Sequence, residues 1–422
     1  MSKSVRWSWT GRRLLPGTSA IQFDSHPLRE GNKERTLALL YTQEQREFIR
    51  MVQEFADQTL TPEVVSKYDH LGQCPVELFK PAFDMGLHML EIPEEYGGAG
   101  LPYSTTAMVF SKLAEYDAGY AITLVSTFVA LRSVMLAGSA DQARRFADII
   151  EPGAFAAFAL SESDAGTDAG SVKSTATRDG DDYILTGEKT FITNGSIANV
   201  YVGIFRTADT GNKGLSAFMI ERSREGISVG AHEDKMGLRL SDTSTVNFDH
   251  VRVPASNRLG DEGAGFKVAM NSLNLSRAFV ATLAAGIMQR ALDESVSYAR
   301  IRSQFKRPII RFEAVQEMLA DMAIALETSQ VLIHNTMTMM DQGNLVRKEG
   351  AMTKTYVTDA LQRVVTDAVQ VFGGYGVSKA YPVEKLMRDS KVFQIFEGTN
   401  QIQRVTIANE LDKEYAGKEV GR

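Results

Sequence analysis

The apolar period changes twice along this chain, and those two changes limit the folds open to it. Residues 42–155 repeat apolar side chains at helical spacing. Thr42 reads as a helix N-cap followed by Glu44 and Glu47, with Phe48, Ile49, Val52 and Phe55 on one face. Pro93 and the Gly97-Gly98-Ala99-Gly100 stretch interrupt this region, and helical spacing resumes over 106–116 and 121–136. Residues 156–260 switch to short strand-like runs. The runs 175–177 and 183–186 flank Arg178-Asp179-Gly180-Asp181, a hairpin signal, and 201–205, 215–220 and 245–248 read as further strands. Long helices then return: 270–298 with Gly286 as its one breaker, 315–340, 353–371, and a last helix after Thr399. The stripe Met318, Leu319, Met322, Ala323, Leu326 reads as core. At 422 residues the chain exceeds the roughly 250–300 residues one core supports. The expected class is α+β. An N-terminal helical domain (42–155), a middle β-barrel or sandwich domain (156–260) and a C-terminal four-helix bundle (261–422) follow an extension (1–41).

Composition removes several function classes. A net charge of −6 implies no dominant basic face for nucleic acid. The single cysteine, Cys74, excludes intrachain disulfides and points to a reducing compartment, so the cytoplasm is expected. The six histidines are scattered, with no pair at metal-ligand spacing, so no metal is expected. No uninterrupted apolar run approaches membrane-spanning length. The glycine-rich elbow of serine hydrolases and the P-loop are both absent. The first forty residues carry Trp7, Trp9, Arg12 and Arg13 but soon add Asp24, Glu30 and Glu34. They read as an extension rather than a secretory or matrix-targeting signal.

The run Phe396-Glu397-Gly398-Thr399 carries the strongest chemical hint. It sets a carboxylate on a glycine turn before a Thr that can cap a helix, and the bare Gly398 backbone lets a ligand come close. That suits a general base for a carbon acid. Read alone, the same acid is more often a favourable contact with a helix dipole.

Other motifs decide between these readings. The α–β–α order and the Glu-Gly-Thr turn resemble the acyl-CoA dehydrogenase family of flavoenzymes, over about residues 42–412. The loop 159–168 is similar to the family's flavin loop, which implies FAD contacts from Phe158, Leu160, Ser161, Gly166 and Thr167. Phe191-Ile192-Thr193 matches the segment beside the flavin ring, with Phe191 where Trp is usual. Arg302, Gln304 and Phe305 match a segment that reaches FAD held by a neighbouring subunit, although Lys306 and Glu313 replace the usual Gly and Gln. Gln370 and the Gly373-Gly374 pair match a further partner-subunit contact, with Ala380 departing from the usual acid or amide; Thr399 and Gln401 complete the FAD set. Residues 236–243 read as structural. Each motif alone would be an ordinary loop or turn.

The resemblance implies FAD-dependent α,β-dehydrogenation of an acyl-CoA thioester, Glu397 removing the α-proton while hydride passes from Cβ to flavin N5. Some branches of the family carry the base just before an arginine on the first long bundle helix. Ser276 stands there, before Arg277, and a serine cannot serve, which leaves Glu397. Asn274, Arg277 and Gly398 are the implied substrate contacts; Arg277 otherwise reads as a surface salt bridge. Ala121 stands where the glutaryl-CoA branch has its arginine, which disfavours such a dicarboxylic substrate. Phe396 suggests an apolar wall, and Met89, Leu90, Glu91, Val125 and Phe279 are candidates for the acyl tail, with Glu91 read in preference as a surface charge. The implied partners are an electron-transferring flavoprotein and further copies of the chain, as a homotetramer built from dimers. The alternatives are an acyl-CoA oxidase or enoyl-CoA reductase on the same fold, a flavin monooxygenase, which would not need Glu397, and a non-catalytic helical scaffold.

Overall fold

A computed structural model describes residues 42–416. The extension 1–41, with Trp7, Trp9, Arg12 and Arg13, lies outside the described residues. Local signals set the first helices. Helix α1 (Gln43–Thr59) opens on a reciprocal capping box, Thr42 Oγ1 accepting from Gln45 N at 3.2 Å and Gln45 Oε1 accepting from Thr42 N at 3.0 Å. Helix α2 (Pro62–Leu71) has Thr61 as cap and proline at its first position, and stops on Gly72 at φ 64°. The short α3 (Lys80–Asp84) leads into the Pro93 loop. Helices α4 (Tyr103–Tyr116) and α5 (Ala118–Ala137) meet at Asp117, whose carboxylate caps α5 by accepting from Tyr120 N at 2.7 Å. Helix α6 (Ala140–Ile150) starts on a second capping box, Ser139 with Gln142.

Helix α5 is long and apolar enough to cross a membrane by length and composition. Thr, Ser and Arg132 break its apolar run, so it holds no uninterrupted apolar stretch of spanning length. Most of it is buried inside the protein, against β1 and the longest bundle helix.

The middle region is one eight-stranded sheet, ordered β6-β7-β3-β2-β4-β5-β8, with β1 beside β4. Its strands are β1 (Phe155–Ala159), β2 (Thr175–Asp179), β3 (Asp182–Thr193), β4 (Ala198–Arg206), β5 (Leu215–Glu221), β6 (Ile227–His232), β7 (Thr243–Pro254) and β8 (Arg258–Leu259). Most pairs are antiparallel, but β1 runs parallel to β4, Phe158 opposite Val202. Alternation on β4 divides the interior in two. Val200, Val202 and Ile204 join the core shared with the helices, whereas Tyr201 and Phe205 pack with Tyr183, Phe218 and Phe248 in a separate core.

Helices α7 (Gly265–Ile301), α8 (Glu313–Asp341), α9 (Arg347–Phe372) and α11 (Asn400–Tyr415) form the bundle, with the short α10 (Val383–Ser390) against it. Helix α7 has 37 residues and so runs about 55 Å. Gly286 does not break it. A Cβ there would lie 2.4 Å from the Ser111 carbonyl oxygen, so the glycine lets α7 cross α4 closely.

Candidate active site

The turn before α11 is held in an unfavourable backbone conformation. Glu397 has φ 56° and Gly398 φ 88°. For a glutamate this costs about 1–3 kcal/mol and persists only where the surroundings impose it. They do so through the turn's carbonyls. Gln403 Nε2 donates to Glu397 O at 3.2 Å and Gly398 O at 3.0 Å, and Lys354 Nζ donates to Gly398 O at 2.8 Å. Arg277 Nε donates to Glu397 O at a long 3.4 Å. Thr399 caps α11, its hydroxyl oxygen accepting from Ile402 N at 3.3 Å. The buried Asn400 accepts from Lys354 Nζ at 2.8 Å and donates to Thr358 Oγ1 and Asp359 Oδ1, so α9 supplies the floor of the turn.

These bonds fix the backbone and leave the carboxylate almost free. Glu397 Oε1 accepts only a 3.4 Å bond from the Ser276 hydroxyl, and Oε2 is buried with no partner among the described residues. The residue as a whole is half-buried, but its second carboxylate oxygen is out of water. The backbone N–H of Glu397 likewise meets no acceptor among the described residues. Burial raises the Glu397 carboxyl above the ordinary range, against the opposing pull of Arg277, Arg132 and Lys354. Burial also lowers the Lys354 ammonium to about 7. Ser276, the alternative base position, sits against the Glu397 carboxylate.

Arg277 is not a surface ion pair. It is buried, and its Nη1 donates to Asn274 Oδ1 at 2.6 Å, one turn earlier on α7. Glu91 is not a surface charge either. It is buried and forms a two-point ion pair with Arg132 of α5, Nε to Oε2 at 2.9 Å and Nη2 to Oε1 at 2.5 Å. A carboxylate in a Pro/Gly-rich loop reads as solvated, but here the loop folds under α5. The guanidinium carbon of Arg132 lies 4.0 Å from the centre of the Phe279 ring. Met89, Leu90, Ala121, Val125 and Phe279 are all buried in the same large core, and Phe396 is half-buried, edge-on to Phe393. Arg132 and Lys354 were not among the sequence candidates. The available signal for Arg132 was a lone charge in an apolar helix, which needs a buried partner.

The remaining sequence candidates form two groups. In the first, β1 and the turn after it carry Phe158, Leu160 and Ser161, and β3 carries Phe191, Ile192 and Thr193, Ile192 being buried in the sheet's own core, with Gly166 and Thr167 on the exposed loop beyond. The loop is pinned by Glu162, which is buried and accepts from Lys189 Nζ at 2.7 Å, Lys173 N at 2.7 Å and Ser174 N at 3.0 Å. Phe191 is 70% exposed at φ 53°. An unburied ring on a strained backbone needs a cover. The next turn is fixed by Asn194, which donates to Thr123 O and Ala156 O. In the second group, Arg302, Gln304, Gly373 and Gly374 line a cleft of about 420 Å³ with Tyr298 and Tyr375. Neither Glu397 nor any of the first group lines it. Cβ atoms on Gly373 and Gly374 would meet nothing within 4 Å and would intrude on that open space. Arg302 forms no ion pair among the described residues, so its charge is available to an anion. Phe305, 89% exposed, and Lys306 form the left-handed corner of a hairpin between β9 (Ser303–Gln304) and β10 (Arg307–Pro308). Lys306 thus adopts the conformation for which glycine is usual. Gln370 and Gln401 are exposed near the ends of α9 and α11. A flat aromatic surface, a hydroxyl- and N–H-bearing loop and an unpaired guanidinium fit a flavin and its diphosphate. Burial pushes the Cys74 thiol up to about 12, which removes it as a nucleophile.

Comparisons with known proteins point to one family. Three family models match in order: acyl-CoA dehydrogenase, N-terminal domain, at 42–150; its middle domain at 157–251; and its C-terminal domain at 263–411. An acyl-CoA dehydrogenase of Bacillus subtilis is 39% identical, covering 88% of this chain and 98% of that protein. The caffeyl-CoA reductase-Etf complex subunit CarC of Acetobacterium woodii is 36% identical, covering 89% and 100%. The structure of butyryl-CoA dehydrogenase from Megasphaera elsdenii superposes with a TM-score of 0.86 at 37% identity, covering 88% of this chain and 98% of that one.

Proposed function

The chain belongs to the acyl-CoA dehydrogenase family, and on that premise we propose that Glu397 is the base that takes the α-proton in its FAD-dependent dehydrogenation of an acyl-CoA thioester. The observation that carries the assignment is the buried, unpartnered Oε2 of Glu397 on a turn whose backbone is fixed by other groups. A desolvated carboxylate is the stronger base, and taking the α-proton neutralises a charge that burial makes costly, against the opposing pull of Arg277, Arg132 and Lys354. The free N–H of Glu397 is placed to polarise the thioester carbonyl as negative charge develops on it. Asn274 and Arg277 hold the CoA side, on the same helix as Ser276. FAD, when bound, supplies the acceptor for the hydride that leaves Cβ. The residues that hold it are those of the Phe158–Thr193 group and, across a subunit interface, those of the Arg302 cleft. In the reverse direction Glu397 returns the proton to Cα, the reaction class named for the similar Acetobacterium subunit.

Anaerobic mixing of the holoprotein with a series of acyl-CoA esters tests the reading. At least one ester should bleach the oxidised flavin absorbance, and an electron-transferring flavoprotein or a one-electron dye should restore it far faster than oxygen does. The likeness to a subunit of an Etf complex supports that acceptor. No bleaching by any ester would overturn the function. Full turnover on oxygen with stoichiometric peroxide would make the protein an oxidase.

The assembly is a homotetramer in this reading. Apolar side chains stand exposed on the outer bundle faces, Ile324 and Val331 on α8, Met352 and Tyr356 on α9, Val405 and Leu411 on α11. The Arg302 cleft, separate from the Phe191 group, suits FAD from a second copy. Arg302→Ala should lower the FAD-to-protein ratio and the sedimentation coefficient together. A fully flavinylated wild-type monomer would contradict the shared site.

A further inference from the structure

One arginine in the core carries a donor with nothing to receive it. Arg132 is 2% exposed, and Glu91 occupies its Nε and Nη2. Its Nη1 is buried and has no acceptor among the described residues. Buried guanidinium donors are ordinarily matched, and leaving one unmatched costs about 1–3 kcal/mol or more. The position of this donor relative to the base is set by α7. Ser276, which touches Glu397, and Phe279, on which Arg132 stacks at 4.0 Å, stand three residues apart and so share a helix face. Tyr103 packs beside Phe279, its ring 5.7 Å from the guanidinium and 6.3 Å from the Phe279 ring, with its own hydroxyl lacking a partner among the described residues. The residue that touches the base and the residue on which the guanidinium stacks therefore stand about one helical turn, roughly 5 Å, apart along α7. That is the span of a few methylenes.

We infer that Arg132 is the residue that sets acyl specificity, and that the acyl group carries a neutral hydrogen-bond acceptor, a ketone, ether or hydroxyl oxygen, a few carbons beyond Cα. The inference rests on the acyl-CoA reading above and deepens it. A plain alkyl tail leaves Nη1 unmatched, and a site built around a donor rejects the analogue that lacks the acceptor. A carboxylate tail fares no better. Glu91 already neutralises Arg132, and Asp341, which accepts from Ser104 N at 3.3 Å, adds negative charge beside Glu91 and Tyr103. An anion would thus meet two carboxylates and one guanidinium.

Three five-carbon thioesters test this on the holoprotein: levulinyl-CoA with a ketone, pentanoyl-CoA without one, and glutaryl-CoA with a carboxylate. Anaerobic flavin reduction by levulinyl-CoA should exceed that by pentanoyl-CoA by about tenfold in second-order rate constant, about 1.4 kcal/mol, with glutaryl-CoA below both. The variant is Arg132→Met combined with Glu91→Gln, because removing the arginine alone strands a buried carboxylate. In it the ketone preference should fall below about twofold while pentanoyl-CoA still reduces the flavin. If the double variant does not hold FAD, the wild-type ratio decides. Equal rates, or a preference for pentanoyl-CoA, would overturn the role of Arg132 and leave the acyl-CoA reading intact. An unchanged ratio in a flavinylated double variant would do the same. Failure of all three esters, together with the wider series, would instead overturn the acyl-CoA reading.

Discussion

Glu397→Gln is expected to keep the fold and the FAD and to lose flavin reduction by acyl-CoA by about 10²–10⁴-fold, the usual worth of a general base. The substitution preserves shape, and the bonds that hold the turn use the carbonyls of Glu397 and Gly398 rather than the carboxylate. Only the 3.4 Å bond from Ser276 changes character. An amide cannot take the α-proton, and Ser276 beside it is not a base at neutral pH, so no neighbour substitutes. Stopped-flow bleaching gives the rate, and the visible spectrum and FAD-to-protein ratio show that the site is intact. Near-normal bleaching in this variant would sink the assignment. The wild-type pH profile follows from the same site. Burial raises the Glu397 carboxyl, so activity should fall on acidification at a higher pH than an ordinary glutamate would give. Lys354 opposes that rise, so Lys354→Met should move the acid limb upward.

The Glu397 turn was legible in the sequence because its chemistry is local. Gly398 and the capping Thr399 adjoin the carboxylate, and a turn of this kind is written in consecutive residues. The partners that give the carboxylate its environment were not legible. Ser276 is 121 residues away, and Lys354 reaches Gly398 O from 44 residues away. The reading of Glu91 as a surface charge failed for the same reason, since its partner comes from 41 residues further on. The longer helices showed themselves through their period, although α2, α3, α6 and α10, all short, were not picked out one by one. Several strands were visible, but their order was not. Nothing in a run of alternating residues says that β1 will lie parallel to β4, or that β3 will sit between β2 and β7. Pairing of that kind depends on the whole sheet.

Lys385→Met should cost about 3–5 kcal/mol of stability, the usual effect of removing one partner from a buried ion pair. Lys385 is buried between two carboxylates, Nζ lying 2.6 Å from Asp117 Oδ2 and 2.5 Å from Asp389 Oδ2. Together the two acids hold the Lys385 ammonium far more tightly protonated than a free lysine, despite the burial that opposes it. Methionine fills similar space but leaves two carboxylates facing each other out of water. Each of those acids holds a different part of the chain. Asp117 caps α5, Asp389 Oδ1 accepts from Leu238 N in the middle region at 2.7 Å, and both meet at α10. The loss should therefore appear as one shift of the whole denaturation curve, with tryptophan-independent probes such as far-UV dichroism and flavin release moving together. Adding Asp117→Asn to Lys385→Met should recover part of it, because one carboxylate can then be neutralised more easily beside an amide. A change below about 1 kcal/mol in the single variant would mean that the two acids take up protons at little cost, and that the lysine is not what joins the three regions.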